Sequence, residues 1–192
     1  MNRLRMTVLL ASLTLLPASA MAQGASLHGF GPINSSMGGA GVALPEDALN
    51  ALAFNPALIS AVEGNQVSFT TEFFKDAIEI HTTYGSLSGD AKGTPHLSIV
   101  PSFGWMLRDP KKKLALGFGL IGVAGFGADY KQDTASILFA QPPNGFGRIW
   151  TQYQATKIPV AFAYQATPKL AIGFSFNTYV GQFSVAPLPD GT

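Results

Sequence analysis

Leu114-Ala115-Leu116-Gly117-Phe118-Gly119-Leu120-Ile121 is the stretch that decides the fold class. Leu114, Leu116, Phe118 and Leu120 alternate with Ala115, Gly117, Gly119 and Ile121, which puts large apolar groups on one face and mostly small ones on the other. A strand of period two presents its two sets to opposite sides. The pattern returns downstream, where Leu170, Ile172, Phe174 and Phe176 oppose Ala171, Gly173, Ser175 and Asn177.

Composition says where the bulky faces go. The 192 residues are 47% hydrophobic and 12% charged, against about 25% charged in a soluble domain. Outside the first residues no apolar run approaches the length of a membrane-spanning helix, so the hydrophobicity is distributed by alternation, the mark of a transmembrane β-barrel. A net charge of +1 excludes a strong electrostatic attraction to nucleic acid, and no nucleic-acid partner is expected. With no cysteine, no disulfide framework, thiolate metal site or cysteine nucleophile is available.

Working outward, five strands are expected, near 66–84, 96–108, 113–128, 149–166 and 169–185. In the first, Val67, Phe69 and Phe73 oppose Ser68, Thr70 and Glu72, then Ile78, Ile80 and Tyr84 oppose Glu79 and His81. The apolar face changes parity near Lys75, where a bulge would restore register. Leu97, Ile99, Phe103 and Trp105 make a face interrupted by Pro101, a residue that paired strands admit at bulges or edges. In the fourth strand Ile158, Val160, Phe162 and Tyr164 oppose Lys157, Ala161, Ala163 and Gln165. Short turns at Asp109-Pro110-Lys111-Lys112 and Ala166-Thr167-Pro168-Lys169 alternate with longer connections, 85–95 and 129–148. Outer-membrane barrels keep short turns on the periplasmic side.

The chain opens with a secretory signal over residues 1–22. Arg3 and Arg5 supply the charge, Val8 to Leu16 the apolar core, and Ala20-Met21-Ala22 the cleavage site before Gln23. Residues 23–63 form the one region after it that does not read as strand. Its centre, SSMGGAGVALPEDALNALAFNPALIS from Ser35 to Ser60, reads as a plug. The cluster Gly38, Gly39 and Gly41 lacks the preceding strand and the Lys-Ser/Thr pair of a phosphate loop. Glu46 and Asp47 after Pro45 suit the first turn of a short helix. Asn55 before Pro56 ends that helix near Phe54.

These features resemble the FadL family of outer-membrane transport proteins for hydrophobic compounds. The resemblance is carried by the Gly-rich run from Gly38 to Gly41, by Glu46-Asp47-Ala48, and by Asn55-Pro56-Ala57 with Leu58 and Ile59 after it. It implies an all-β fold, a transmembrane antiparallel barrel of about fourteen strands, whose N-terminal hatch blocks the lumen. It also implies passive transport of long-chain fatty acids, with aromatic hydrocarbons as the alternative substrate, and lateral release through a kink in the third strand. By position that kink falls among Gly117, Gly119, Gly122, Gly125 and Gly127; glycines that only thin the inner face are an equal alternative. The partners implied are these hydrophobic molecules, outer-membrane lipid and lipopolysaccharide, and the barrel-assembly machinery, at the outer membrane of a Gram-negative bacterium. Five strands cannot close such a barrel, and with the chain stopping at Pro189-Asp190-Gly191-Thr192 the sequence reads as an N-terminal fragment, 64–192 being an incomplete barrel.

Transport of this kind needs no catalytic group, cofactor or metal. His28, His81 and His96 lack metal-ligand spacing, no nucleophile-elbow pattern gathers Ser, His and Asp, and Lys111, Lys112 and Lys113 read as a solvated turn. For ligand contact the candidates are Leu27, Phe30, Pro32 and Ile33 at the hatch start, or else these residues pack on the wall. Asn55 is expected to satisfy neighbouring backbone groups. Lys157 points inward by alternation, towards a fatty acid carboxylate or, more plainly, towards Glu72 or Glu79. The loop 129–148, with Phe139, Pro142, Pro143 and Phe146, suits ligand capture or packing on a neighbour. The alternative function is a structural or surface-interaction β protein, either a barrel without transport or a secreted β-sandwich.

Overall fold

The computed structural model describes residues 27, 29–76, 78–85, 87–131, 133, 138–140, 144, 145 and 147–186. The expected signal, His28, Pro142, Pro143, Phe146 and residues 187–192 lie outside them.

Among the described residues seven strands form two antiparallel sheets. The large sheet has the order β1 (Gln66–Asp76), β4 (His96–Arg108), β5 (Leu114–Tyr130), β6 (Ile149–Thr167) and β7 (Leu170–Ala186); β2 (Glu79–Tyr84) and β3 (Leu87–Lys92) make the small one. The large sheet is not closed, and β1 and β7 are its edges. Ahead of it come helix α1 (Gly31–Ser36), helix α2 (Ala48–Phe54) and a 3-10 turn, η1 (Pro56–Ser60). The all-β expectation therefore holds.

Alternation sorts the two faces of the large sheet. Leu97, Ile99, Trp105, Leu114, Leu116, Phe162, Ile172 and Phe174 are exposed, while Met106, Ala115, Ile121, Ala161 and Ala163 are buried. The buried set forms one core with Leu49, Leu52, Leu58, Ile59 and Val62 of the helical segment. Small residues on the sheet are the sockets for large ones on the segment. A methyl group on Gly104 would stand 3.2 Å from Leu49 Cδ2, and one on Gly117 would stand 2.7 Å from Leu52 Cδ2.

The expected strand 66–84 is two elements. β1 ends at Asp76, and Glu79–Tyr84 pairs with Leu87–Lys92 rather than with β4. Register explains the separation, because Glu79 faces Lys92 and His81 faces Asp90 directly across this hairpin, with contacts of 2.9 and 2.8 Å. Opposite charges on facing residues favour that pairing. The stretch expected as a long connection, 85–95, thus supplies a strand, and no bulge is needed near Lys75. Helix α2 also starts later than expected. Glu46 and Asp47 precede it, and Asp47 Oδ1 accepts from Asn50 N at 2.8 Å as its N-cap.

Candidate functional site

Two features stand out: how the helical segment is fastened to the small-residue face, and a break between two strands of the sheet beside it.

The segment is organised by Asn50, which is fully buried in α2. Its side-chain amide donates to the carbonyls of Gly41 and Leu44, each at 2.8 Å, and its Oδ1 accepts from Asn34 Nδ2 at 3.1 Å. One side chain therefore joins α1, the glycine run and α2. Gly38 and Gly39 lie at φ 63° and 83°, where glycine is favoured, and reverse the chain after α1. Gly41 is needed for space, since a methyl there would strike Glu46 Oε1 and Asn34 Nδ2. Both carboxylate oxygens of Glu46 are inaccessible and have no hydrogen-bond partner among the described residues. Burial first, and Asp47 second, hold that carboxyl above its ordinary value.

Asn55 accepts from Ala57 N at 3.2 Å through its side chain, which caps η1, and donates to the Val42 carbonyl at 3.4 Å. The turn it shapes lies directly on β7. A methyl on Gly173 would stand 2.5 Å from the carbonyl carbon of Pro56, so this glycine lets backbone rest on backbone. From β1, Glu72 Oε1 accepts from Gly31 N and Ser35 Oγ, each at 3.3 Å. From β6, Lys157 Nζ donates to the Ala53 carbonyl at 2.6 Å, close to the C-terminus of α2. Lys157 is 8% exposed, and neither of the carboxylates expected for it is its partner: Glu72 holds α1 and Glu79 pairs with Lys92.

The residues singled out at the segment's start separate. Phe30 is buried, with its ring 5.2 Å from that of Phe54, while Pro32 and Ile33 are exposed. Leu27 packs against the core, and its N–H donates to the Val123 carbonyl at 3.0 Å. Phe139 is buried and stacks on Tyr130 at 5.1 Å, so it packs on the end of β5. His81 pairs with Asp90, the ring of His96 lies beside Gly127, and no metal-binding cluster exists among the described residues.

Val123 is the bulged residue of β5. The register with β6 shifts between Gly122 and Ala124. On the other side β5 pairs with β4 only from Ala115 to Ile121, opposite Arg108 to Ser102. Above that point β4 stays with β1 and β5 stays with β6, so the two strands part. Pro101 marks the place. It has no N–H, and its carbonyl lies beside Gly122, so β4 loses a donor on the side that meets β5. Gly122 and Gly125 border the break, whereas Gly117 and Gly119 lie in the paired part of β5 and make room for Leu52 and Pro159.

Above the break β5 runs inward. Ser98 and Val100 sit on the face of β4 that covers the helical segment lower down, yet they meet Gly125, which belongs to the opposite face of β5. The same level carries a row of rings on the segment's side of the sheet. Phe126, Tyr153 and Phe183 face one another across β5, β6 and β7, with centroids 5.4 and 6.4 Å apart.

A segment fastened to the small-residue face of an amphipathic sheet, beside a broken strand pairing, is accompanied by a match over residues 13–188 to the family model described as outer membrane protein transport protein (OMPP1/FadL/TodX). The chain belongs to this family. No curated protein and no solved structure matches it. The FadL/TodX assignment makes it an outer-membrane transport protein for hydrophobic compounds. It also gives the glycine run and the Asn55-Pro56-Ala57 turn a setting. The first folds around Asn50, whose only signal in the sequence is a lone amide inside Ala48–Phe54.

Proposed function

We propose that this chain is the plugged wall of a passive transporter that carries long-chain fatty acids across the outer membrane and releases them sideways into the bilayer. In this reading residues 1–22 direct export, β1 and β7 join further strands of a closed barrel, and the segment from Gln23 to about Ser60 is the hatch. Among the residues singled out, Leu27 and Phe30 lie where hatch meets wall, and Ile33 stands free to meet ligand.

The observation that carries the proposal is the parting of β4 and β5 above Ser102 and Ile121. A sheet edge in hydrocarbon leaves backbone groups unsatisfied at several kcal/mol each, so irregular backbone at membrane depth belongs where a pathway is lined. Leu27, at the start of the described segment, donates to the bulged Val123 itself. Lys157 suits the acid head of a fatty acid. Its ammonium is held by one backbone carbonyl of α2, and a carboxylate takes it when that helix lifts. Aromatic hydrocarbons are the second reading, favoured by the row Phe126, Tyr153 and Phe183, which offers ring faces for stacking. Binding and release need no catalytic group.

The test uses the complete protein in an outer membrane lacking its own fatty acid transporter, and measures uptake of labelled oleate and toluene with and without residues 23–33. Oleate uptake that changes with the deletion supports the proposal. Toluene uptake alone keeps the mechanism and changes the substrate. Uptake of neither, by a folded barrel, points to a structural β protein.

A further inference from the structure

We infer that Val100 is the specificity-determining side chain of this protein, the group that shuts the break between β4 and β5 and limits the girth of what leaves through it. The inference rests on the transport reading and names the substrate shape that reading leaves open.

The break is a bounded window rather than an open seam. Below, Gly122 N donates to Ser102 Oγ at 3.0 Å where regular pairing ends. Above, Asp76 spans the two strands: its Oδ1 accepts from His96 N at 3.1 Å on β4, and its Oδ2 accepts from Gly127 N at 3.4 Å on β5. Thr94 N adds a bond to the Asp129 carbonyl at 2.8 Å. Between these closures no backbone pairing joins β4 to β5.

Val100 occupies the gap. It is 4% exposed, and it is the nearest neighbour that a methyl group on either Gly122 or Gly125 would strike. Both bordering positions of β5 thus lack a side chain where Val100 projects one. The space left beside it is about 80 Å³, bordered by Ile99, Pro101, Gly122, Gly125 and Thr156. A cavity of about 150 Å³ is what holds a benzene ring. With Val100 in place the window therefore has no room for a ring, and a slim acyl chain passes only as this β-branched, rotamer-restricted side chain moves aside. The chemical class selected is an unbranched chain over a fused or substituted ring.

None of these 192 residues is a cysteine, so no native thiol of this wall competes with a disulfide placed across the window. A Cβ at position 125 would lie 3.6 Å from Ser98 Cβ, within the usual disulfide range. It would also crowd Val100 Cγ2 at 2.6 Å, so the lock is built with Val100→Ala. Uptake of labelled oleate and naphthalene is compared for the complete protein and for Val100→Ala, Val100→Phe, and Val100→Ala with Ser98→Cys and Gly125→Cys, each checked for heat-modifiable folding. Val100→Ala should raise naphthalene uptake relative to oleate by about tenfold, the scale of one or two methyl groups in an apolar passage. Val100→Phe should lower both, and the oxidised cysteine pair should stop both until reductant restores them. An unchanged naphthalene-to-oleate ratio in Val100→Ala, with oleate uptake intact, overturns the inference and leaves the transport reading standing. Free passage through the oxidised pair overturns it as well. No uptake of either compound by the unaltered protein removes the transport reading and this inference together.

Discussion

Replacing Gly173 by alanine tests how the helical segment is seated. The added Cβ would stand 2.5 Å from the carbonyl carbon of Pro56 and 2.6 Å from Ala57 Cα, closer than real Cβ contacts come. Both sides of this contact are backbone, since Gly173 is paired with Ala163 on β6 and the Pro56-Ala57 turn is held by the Asn55 cap, so neither can yield as a side chain would. The turn must retreat by nearly an ångström, which draws Leu58 and Ile59 out of the core they share with Ala161 and Ala163. Overpacking of this kind costs about 1–3 kcal/mol, and raises the opened population of the segment about five- to 150-fold. Gly181 is the control, on the same strand and by alternation the same face, where a methyl would meet nothing nearer than 3.7 Å. Amide exchange followed by mass spectrometry reads the result at Leu58, Ala61 and Val62, whose N–H groups bond within the turn. Gly173→Ala should accelerate exchange there while Gly181→Ala leaves it unchanged. Equal protection in the two variants would refute the seating.

Three further predictions concern the segment's polar anchors. Asn50→Ala leaves the carbonyls of Gly41 and Leu44 and the amide of Asn34 without their partner, so the segment should lose about 3 kcal/mol of local stability; limited proteolysis between residues 37 and 45 should speed up accordingly. Glu46 has its pKa raised by burial and by Asp47, so its contribution to folding is complete below its ordinary value of 4.5 and is lost as pH rises through the raised one. Glu46→Gln should flatten the pH dependence of segment opening across that window and protect the segment most on the alkaline side, as hydrogen exchange at a series of pH values would show. Lys157→Met keeps the buried stem and removes the ammonium that meets Ala53 and is proposed to take a carboxylate. It should lower oleate uptake several-fold more than toluene uptake, and equal effects on both would assign the lysine to packing alone.

How much was legible depends on what kind of signal each feature leaves. The amphipathic faces of β4, β5 and β7 were plain, because alternation at Leu97–Trp105, Leu114–Leu120 and Leu170–Phe176 is a property of neighbours in sequence. The hairpin of β2 and β3 was missed. Its evidence is Glu79 facing Lys92 and His81 facing Asp90, which becomes visible only once the partner strand is known. The glycines of β5 look alike in sequence, and what separates Gly117 from Gly122 is whether Leu52 or Val100 occupies the space where a Cβ would be. Lys157 lies on the segment's side of β6, with Ala155 and Ala161, but its partner is a backbone carbonyl, and no side-chain pattern announces one.

A membrane wall requires one orientation of the sheet, with the bulky side in lipid and the small side against the helical segment. The chain has two tryptophans, and Trp105 is 40% exposed on the bulky face. In the complete protein carrying Trp150→Phe, with any tryptophan outside these 192 residues also replaced by Phe, reconstituted in bilayers whose acyl chains carry bromine, the fluorescence of Trp105 should be quenched strongly by the lipid and little by aqueous iodide. Quenching by iodide but not by brominated lipid would put that face in water or against protein, and would contradict the membrane wall on which the transport reading is built.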